Sequence, residues 1–221
     1  MASDAELAGY YAARAAEYER VYERPERQRD LARLRAIVAE FARRRRVLEV
    51  ACGTGYWTAV VARTARSVLA TDITEEVLAV ARAKSLPPER VTFRRANAYD
   101  LTAVPGDVDA ALAAFWWSHV PREELPRFLH GLHGRLASGA RVLLLDNRYV
   151  EGSSTPIART DARGNTYQRR VLTDGTAYEV LKNFPTPAEV RGALESAGAG
   201  NVTVVELPYY WYASYEIARA A

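Results

Sequence analysis

The sequence predicts an α/β fold: a doubly wound, mostly parallel sheet of seven strands, the last two forming an antiparallel hairpin. Three observations carry this. Strand-like and helix-like stretches alternate five times between residues 47 and 146, the pattern of a parallel sheet with right-handed crossovers. Several of the strands are short apolar runs, as expected where both faces are covered. After the last alternation, 201-NVTVVEL-207 and 210-YWYASYEI-217 are β-rich and joined by a short Pro-containing link, which suits an antiparallel pair at the sheet edge.

Residues 5–24 read as a helix rich in Ala and Tyr, ending before Pro25. A second helix, 26–42, sets Leu31, Leu34, Ile37, Val38 and Phe41 at spacings of three and four, one apolar face. The strand 47-VLEVA-51 follows, then a helix at 56–66 and the strand 67-SVLATD-72. The next helix, 74–85, has Thr74 as its expected cap and two acids in its first turn, where they complement the dipole. Strands at 91–96 and 108–115 lead to a helix at 122–136, a turn at Gly139 and the strong strand 141-RVLLLD-146. A last helix spans 186–197. Residues 147–185 form a long insert in which 166-TYQRRVL-172 and 176-TAYEVLK-182 flank Thr173-Asp174-Gly175, a hairpin signal. Connections of this length are usually functional, and this one reads as a lid. A single domain over 1–221 is expected, with a helical cap at 1–42 and the lid at 147–185.

Of 221 residues, 49% are hydrophobic and 26% charged, with 30 basic against 27 acidic side chains. That is a mixed surface, and no nucleic-acid partner is expected from it. Arg43 to Arg46 stand where a helix ends, complementing its dipole. Cys52 is the sole cysteine, so no disulfide framework or thiolate cluster is expected. No apolar run approaches the ~18 residues of a membrane span, and the start MASDAELAGYY lacks the pattern of a signal peptide. The expectation is a cytoplasmic protein without a membrane partner, monomeric or homodimeric.

The segment 49-EVACGTGYWT-58 turns from the first strand into a helix, and Gly53 and Gly55 allow close backbone approach to a ligand. Asp72 ends the second strand, where a carboxylate can accept both ribose hydroxyls of an adenosine. These features fit NAD and S-adenosylmethionine equally. Two others separate them. Tyr56 and Trp57 crowd the helix N-terminus that a pyrophosphate needs, and Thr58 replaces the third glycine. Glu49 places an acid inside the strand, costly unless it meets donors or a cation. The electrostatics favour the sulfonium cofactor.

The run VLEVACGTGYWT, the acid after strand two and the C-terminal hairpin resemble the class I S-adenosylmethionine-dependent methyltransferases, small-molecule branch, over nearly the whole chain. The resemblance implies a Rossmann-like fold and S-adenosyl-L-methionine as cofactor. It implies that Glu49 holds the methionine ammonium and that backbone at Ala51, Gly53 and Gly55 lines the methionine portion. Asp72 would bind the ribose and Ile73 the adenine face. Asn97 and Ala98 would meet the adenine edge, where the family prefers Asp to Asn97. Phe115 would adjoin the methionine, and Tyr11, Arg14 and Tyr18 would cap the cofactor.

The implied reaction is methyl transfer to a small-molecule acceptor by in-line displacement, in which positioning supplies much of the rate. His119, in 115-FWWSHVP-121, is the candidate base. Asp146 either faces the acceptor or caps a turn. Trp116, Trp117, Tyr210 and Tyr212 are expected pocket walls, with Arg148 also at the substrate. Arg148, Arg159, Arg169, Arg170 and Lys182 in or near the lid favour an anionic acceptor such as a carboxylate. His130 and His133 lack the partners of a metal site. Alternatives are a methyltransferase acting on RNA or protein, an NAD-dependent reductase, and a non-catalytic module that binds the cofactor.

Overall fold

The structure, a computed structural model, describes residues 9–10 and 14–218. It contains ten strands: β1 (Arg46–Val50), β2 (Ser67–Asp72), β3 (Val91–Arg95), β4 (Val108–Ala114), β5 (Leu136–Asn147), β6 (Ile157–Thr160), β7 (Thr166–Val171), β8 (Ala177–Leu181), β9 (Ala199–Glu206) and β10 (Tyr210–Ile217). The α-helices are α1 (Gln28–Ala42), α2 (Tyr56–Val61), α3 (Glu75–Arg82), α4 (Leu125–His133) and α5 (Pro187–Ser196). Seven strands make one sheet in the order β3-β2-β1-β4-β5-β10-β9, and β6-β7-β8 form a second sheet. In the large sheet β1 runs parallel to β2 and β4, whereas β10 is antiparallel to both β5 and β9.

Alternation along β1 shows how the sheet is covered. Val47 joins a core packed by Leu31, Leu34, Val38 and Phe41 of α1, while Leu48 and Val50 join another with Phe128, Leu129 and Leu132 of α4. Each such side chain, fully buried, stabilises the fold by about 1.5–3 kcal/mol. Ile37, expected on the same stripe, is only partly buried at its rim. α5 starts with a capping box, Thr186 and Glu189 bonding each other's backbone.

Several elements depart from the sequence expectations. Ala15–Tyr22 is a 3-10 helix rather than part of an α-helix, and much of the expected helix at 5–24 lies outside the described residues. The helix after β1 stops at Val61 instead of 66 because Thr64 leaves it, its hydroxyl donating to the Ala39 carbonyl at 2.6 Å. Residues 136–140 are strand, with a register shift against β4 between Val108 and Ala110 absorbing the irregularity at Gly139. The insert holds a third strand, β6, beside the expected hairpin. Thr74 stands at the N-cap of α3, but its side chain makes no capping bond; the Asp72 carboxylate accepts the Thr74 N–H instead, at 2.9 Å.

The small sheet is tied to the carboxyl ends of the large one. Asn183 N–H donates to the Ser118 carbonyl at 2.8 Å, and its amide nitrogen to the Val120 carbonyl at 3.1 Å. Among the described residues no helix is long and apolar enough to cross a membrane.

Candidate active site

Beyond β1 the chain folds over the sheet edge. Ala51, Gly53 and Gly55 have φ of 54°, 54° and 79°, and Phe115, just past β4, has 61°. A non-glycine residue held there costs about 1–3 kcal/mol and persists only where its surroundings fix it. Cys52 N–H donates to the Thr71 carbonyl and Gly53 N–H to Asp72 Oδ2, each at 2.9 Å. Ala51 and Phe115 thus flank the gap between the carboxyl ends of β1 and β4, where the strand order reverses and open α/β sheets take ligands.

The two glycines serve different ends. A Cβ on Gly53 would meet nothing within 4 Å, so that backbone borders open space. A Cβ on Gly55 would lie 3.0 Å from Cβ and 3.3 Å from Cα of Ala81 in α3. Gly55→Ala is therefore expected to cost about 2–3 kcal/mol, strain and overlap together. Gly53→Ala should cost only about 1 kcal/mol, from strain alone. Urea denaturation of both variants checks the ranking.

Glu49 sits on the α2 side of β1, 1% exposed, and neither carboxylate oxygen has a hydrogen-bond partner among the described residues. Burial pushes its pKa up to about 8, the Thr58 hydroxyl working against it and the Asp72 charge adding to it. Burial also raises Asp72, opposed by the N–H groups of Thr74 and Gly53. A ligand with an ammonium group would give Glu49 its missing partner and favour its ionised form; a pyrophosphate would offer the acid no such partner. Asp72 keeps lone pairs for hydroxyl donors. After β3, Asn97 Oδ1 accepts from Tyr99 N–H at 2.9 Å, Ala98 is buried, and the Ile73 carbonyl accepts from Arg95 Nε at 2.9 Å. The N-terminal segment closes the loop from the other side. Glu19 Oε1 accepts from the Thr54 hydroxyl at 2.7 Å and from Lys84 Nζ at 2.5 Å. Tyr22 stacks on Tyr56, ring centroids 3.9 Å apart, and meets Phe115 edge-on.

Past Phe115 lies a cavity of about 90 Å³, lined on the sheet side by Phe115, His119, Asn147 and Tyr210, and by residues of the insert and the N-terminal segment. His119 Nδ1 is 2.8 Å from the Leu181 carbonyl. A carbonyl only accepts, so Nδ1 carries the proton and Nε2, 3.4 Å from Lys182 Nζ, is the basic nitrogen. Burial, then the Lys182 charge, holds the imidazole well below its usual pKa. Lys182 donates to the Ser118 hydroxyl at 2.6 Å and lies 3.3 Å from Asp146. Asp146, fully buried, accepts from Ser118 N–H at 2.8 Å and Ser118 Oγ at 2.9 Å. Burial lowers the Lys182 pKa, with Asp146 pulling it back up.

A family model described as a methyltransferase domain matches residues 47–139. The ubiquinone/menaquinone biosynthesis C-methyltransferase UbiE of Methylobacterium nodulans is 30% identical over 175 residues, 72% of this chain and 67% of that protein. The chain belongs to the class I S-adenosylmethionine-dependent methyltransferases. A second relative, the ubiquinone biosynthesis O-methyltransferase of Xanthomonas euvesicatoria pv. vesicatoria, is 31% identical over 156 residues, and the chain spans 62% of that protein's length. Among solved structures, the DhpI-SAM-HEP complex is similar at a TM-score of 0.78 and 28% identity over 95% of both chains.

Within the methyltransferase fold, the expected cofactor residues Glu49, Ala51, Gly53, Gly55, Asp72, Ile73, Asn97, Ala98 and Phe115 all lie along the carboxyl edge from β3 to β4. Tyr11 lies outside the described residues. Of the expected acceptor residues, His119 and Tyr210 line the cavity. Three do not. Trp117 is buried against Trp211 in the core. Trp116 packs on Tyr99 and Phe128. Arg148 pairs with Glu206 at 2.8 Å and donates to the Leu207 carbonyl, holding the β9–β10 turn. Tyr212 packs against the α1-side core, with no place in the cavity lining. Of the lid cations, Arg170 and Lys182 line the cavity, whereas Arg169 faces outward and Arg159 pairs with Glu179. Asp146 caps the Ser118 turn and pairs with Lys182. His133 Nε2 lies 2.8 Å from the Tyr215 hydroxyl, and no metal-ligating cluster occurs among the described residues. The sequence reading missed Arg24, Arg27, Asn147 and Gln168, all cavity residues.

Proposed function

We propose that the chain transfers a methyl group from S-adenosylmethionine to a small-molecule acceptor seated in the cavity beside His119. The observation that carries this reading is the buried Glu49 carboxylate, bonded to no described residue, beneath a loop whose Gly53 borders open space. Glu49 would take the ammonium, backbone at Ala51, Gly53 and Gly55 the methionine portion, Asp72 the ribose hydroxyls, and Ile73, Asn97 and Ala98 the adenine. Phe115 joins this site to the cavity. When bound, S-adenosylmethionine supplies an electrophilic methyl group on a sulfonium centre.

The cavity walls hold an acceptor in one orientation and limit water, which is where much of the rate of such a displacement arises. His119 keeps a neutral imidazole with Nε2 as its acceptor nitrogen, able to take a hydrogen bond and then a proton from a hydroxyl or amine. The 147–185 insert, which brings Lys182 and Leu181 to His119, acts as the wall of the acceptor site in a single catalytic domain. The lone, buried Cys52 accords with a reducing, cytoplasmic setting.

Calorimetric titration with S-adenosylmethionine and S-adenosylhomocysteine tests the cofactor half, and transfer of labelled methyl to a panel of small acceptors tests the rest. His119→Ala should lower kcat by about 10²–10⁴-fold while S-adenosylhomocysteine still binds. Absence of binding by either nucleoside would end this reading.

A further inference from the structure

We propose that the acceptor carries a compact oxyanion, a carboxylate or a tetrahedral anionic group, held in the cavity by Arg27 together with Arg170 and Lys182. This rests on the cavity being the acceptor site. Among the described residues five cations line it, Arg14, Arg24, Arg27, Arg170 and Lys182, and no Asp or Glu does. Lys182 is compensated by Asp146. Arg27 is not compensated in this way.

Arg27 is 8% exposed, and its hydrogen bonds to described residues all go to neutral groups: Asn147 Oδ1 at 3.3 Å, the Ser153 carbonyl at 3.4 Å and the Ser153 hydroxyl at 3.0 Å. Its Nε is buried without a partner. Of the acids nearby, Asp30 accepts from Tyr209 N–H at 2.8 Å, and the exposed Glu26 meets Arg27 only through the shared Ser153 hydroxyl, 3.2 Å from Glu26, across solvent. Burying a guanidinium against neutral groups is costly, and a bidentate oxyanion is the partner that offsets it. Arg27 is also the N-cap of α1, where the helix dipole already disfavours a cation and favours an anion. The rings of Tyr209 and Tyr210 lie 5.3 and 5.6 Å from its guanidinium carbon and hold its plane.

Arg24, beside Arg27, donates to the Ser153 carbonyl, a neutral acceptor, at 2.6 Å, and Arg170 brings a further guanidinium to the same cavity, donating to Gln168 Oε1 at 2.6 Å. The cavity of about 90 Å³ has room for a compact anionic group of the acceptor beside Arg27. Anchored at Arg27, the acceptor would extend toward His119 in the same cavity.

The cofactor's own carboxylate is an oxyanion too, and the experiment separates the two sources. The full chain is titrated calorimetrically with sodium phosphate and with sodium acetate, at ionic strength held constant with chloride, free and saturated with S-adenosylhomocysteine. The expected result is that at least one anion binds the loaded protein, and that Arg27→Met weakens it tenfold or more while S-adenosylhomocysteine affinity changes less than twofold. The preferred anion tells a carboxylate acceptor from a tetrahedral one. Arg170→Gln, which leaves the α1 N-cap in place, should also weaken the anion and keeps the test open if Arg27→Met does not fold. The proposal is overturned if neither anion binds, if both variants bind as the parent does, or if the anion competes with S-adenosylhomocysteine and Arg27→Met loses both. Should S-adenosylhomocysteine fail to bind, the cofactor reading falls; phosphate binding lost in Arg27→Met would still establish the oxyanion site.

Discussion

Glu49→Gln is expected to bind S-adenosylmethionine at least tenfold more weakly than the parent, yet to melt higher without ligand at pH 8. Both effects have one cause. In the unfolded chain Glu49 ionises near its usual 4.5, while in the fold burial holds the proton until about 8. Because the folded value is the higher, the stability it contributes is fully present below 4.5 and is lost as pH rises through 8. The loss at pH 8 amounts to about 5 kcal/mol at most. Gln carries no charge to desolvate, but its amide is left unsatisfied at about 1–3 kcal/mol. The net gain is then about 2–4 kcal/mol, or roughly 5–15 °C in a chain of this size. Binding an ammonium favours the ionised acid, so at pH 7 the parent should release close to one proton per ligand. Calorimetry in buffers of different ionisation enthalpy reads that proton. Its persistence in Glu49→Gln would assign it to another group and remove the argument for Glu49.

Asp146→Ala should be the most destabilising substitution near the cavity, at about 3–5 kcal/mol. It strands the buried Lys182 ammonium and leaves Ser118 N–H without its acceptor. At the slope expected for this length, that is a drop of about 6–20 °C. Lys182→Met should be costly by the same logic, and the double variant should lose less than the two single losses summed. Urea denaturation of the four proteins measures the coupling. A coupling within about 0.5 kcal/mol of zero would mean that the pair is held by other contacts.

Much of the fold was legible because its signals are local. Apolar runs at 47–51, 67–72 and 141–146 have no reading other than covered strands, and the α1 stripe stands at helical spacing. What failed was what local pattern does not encode. All four residues of β6 are exposed, so the segment shows no alternation. Residues 136–140 contain Gly139, which reads as a turn until a strand tolerates it through a register shift. The cofactor edge was legible because topology puts every strand end there. The cavity was not, because Arg27 reaches Asn147 and Ser153 more than a hundred positions away in the chain. One clue was present: Arg27 precedes a helix, where its charge is unfavourable unless something else requires it. The aromatic pair after β4 misled for the opposite reason, since bulk suggests a pocket wall as readily as core.

The place of β10 between β5 and β9 bears on how the chain is made. β5, whose Val142, Leu143, Leu144 and Leu145 are all buried, gains its second neighbour only from Tyr210–Ile217. While the ribosome is still translating the stretch between them, that strand is an open apolar edge. The nascent polypeptide therefore carries this apolar strand edge uncovered for more than sixty codons, a window in which pairing with a wrong partner competes with folding.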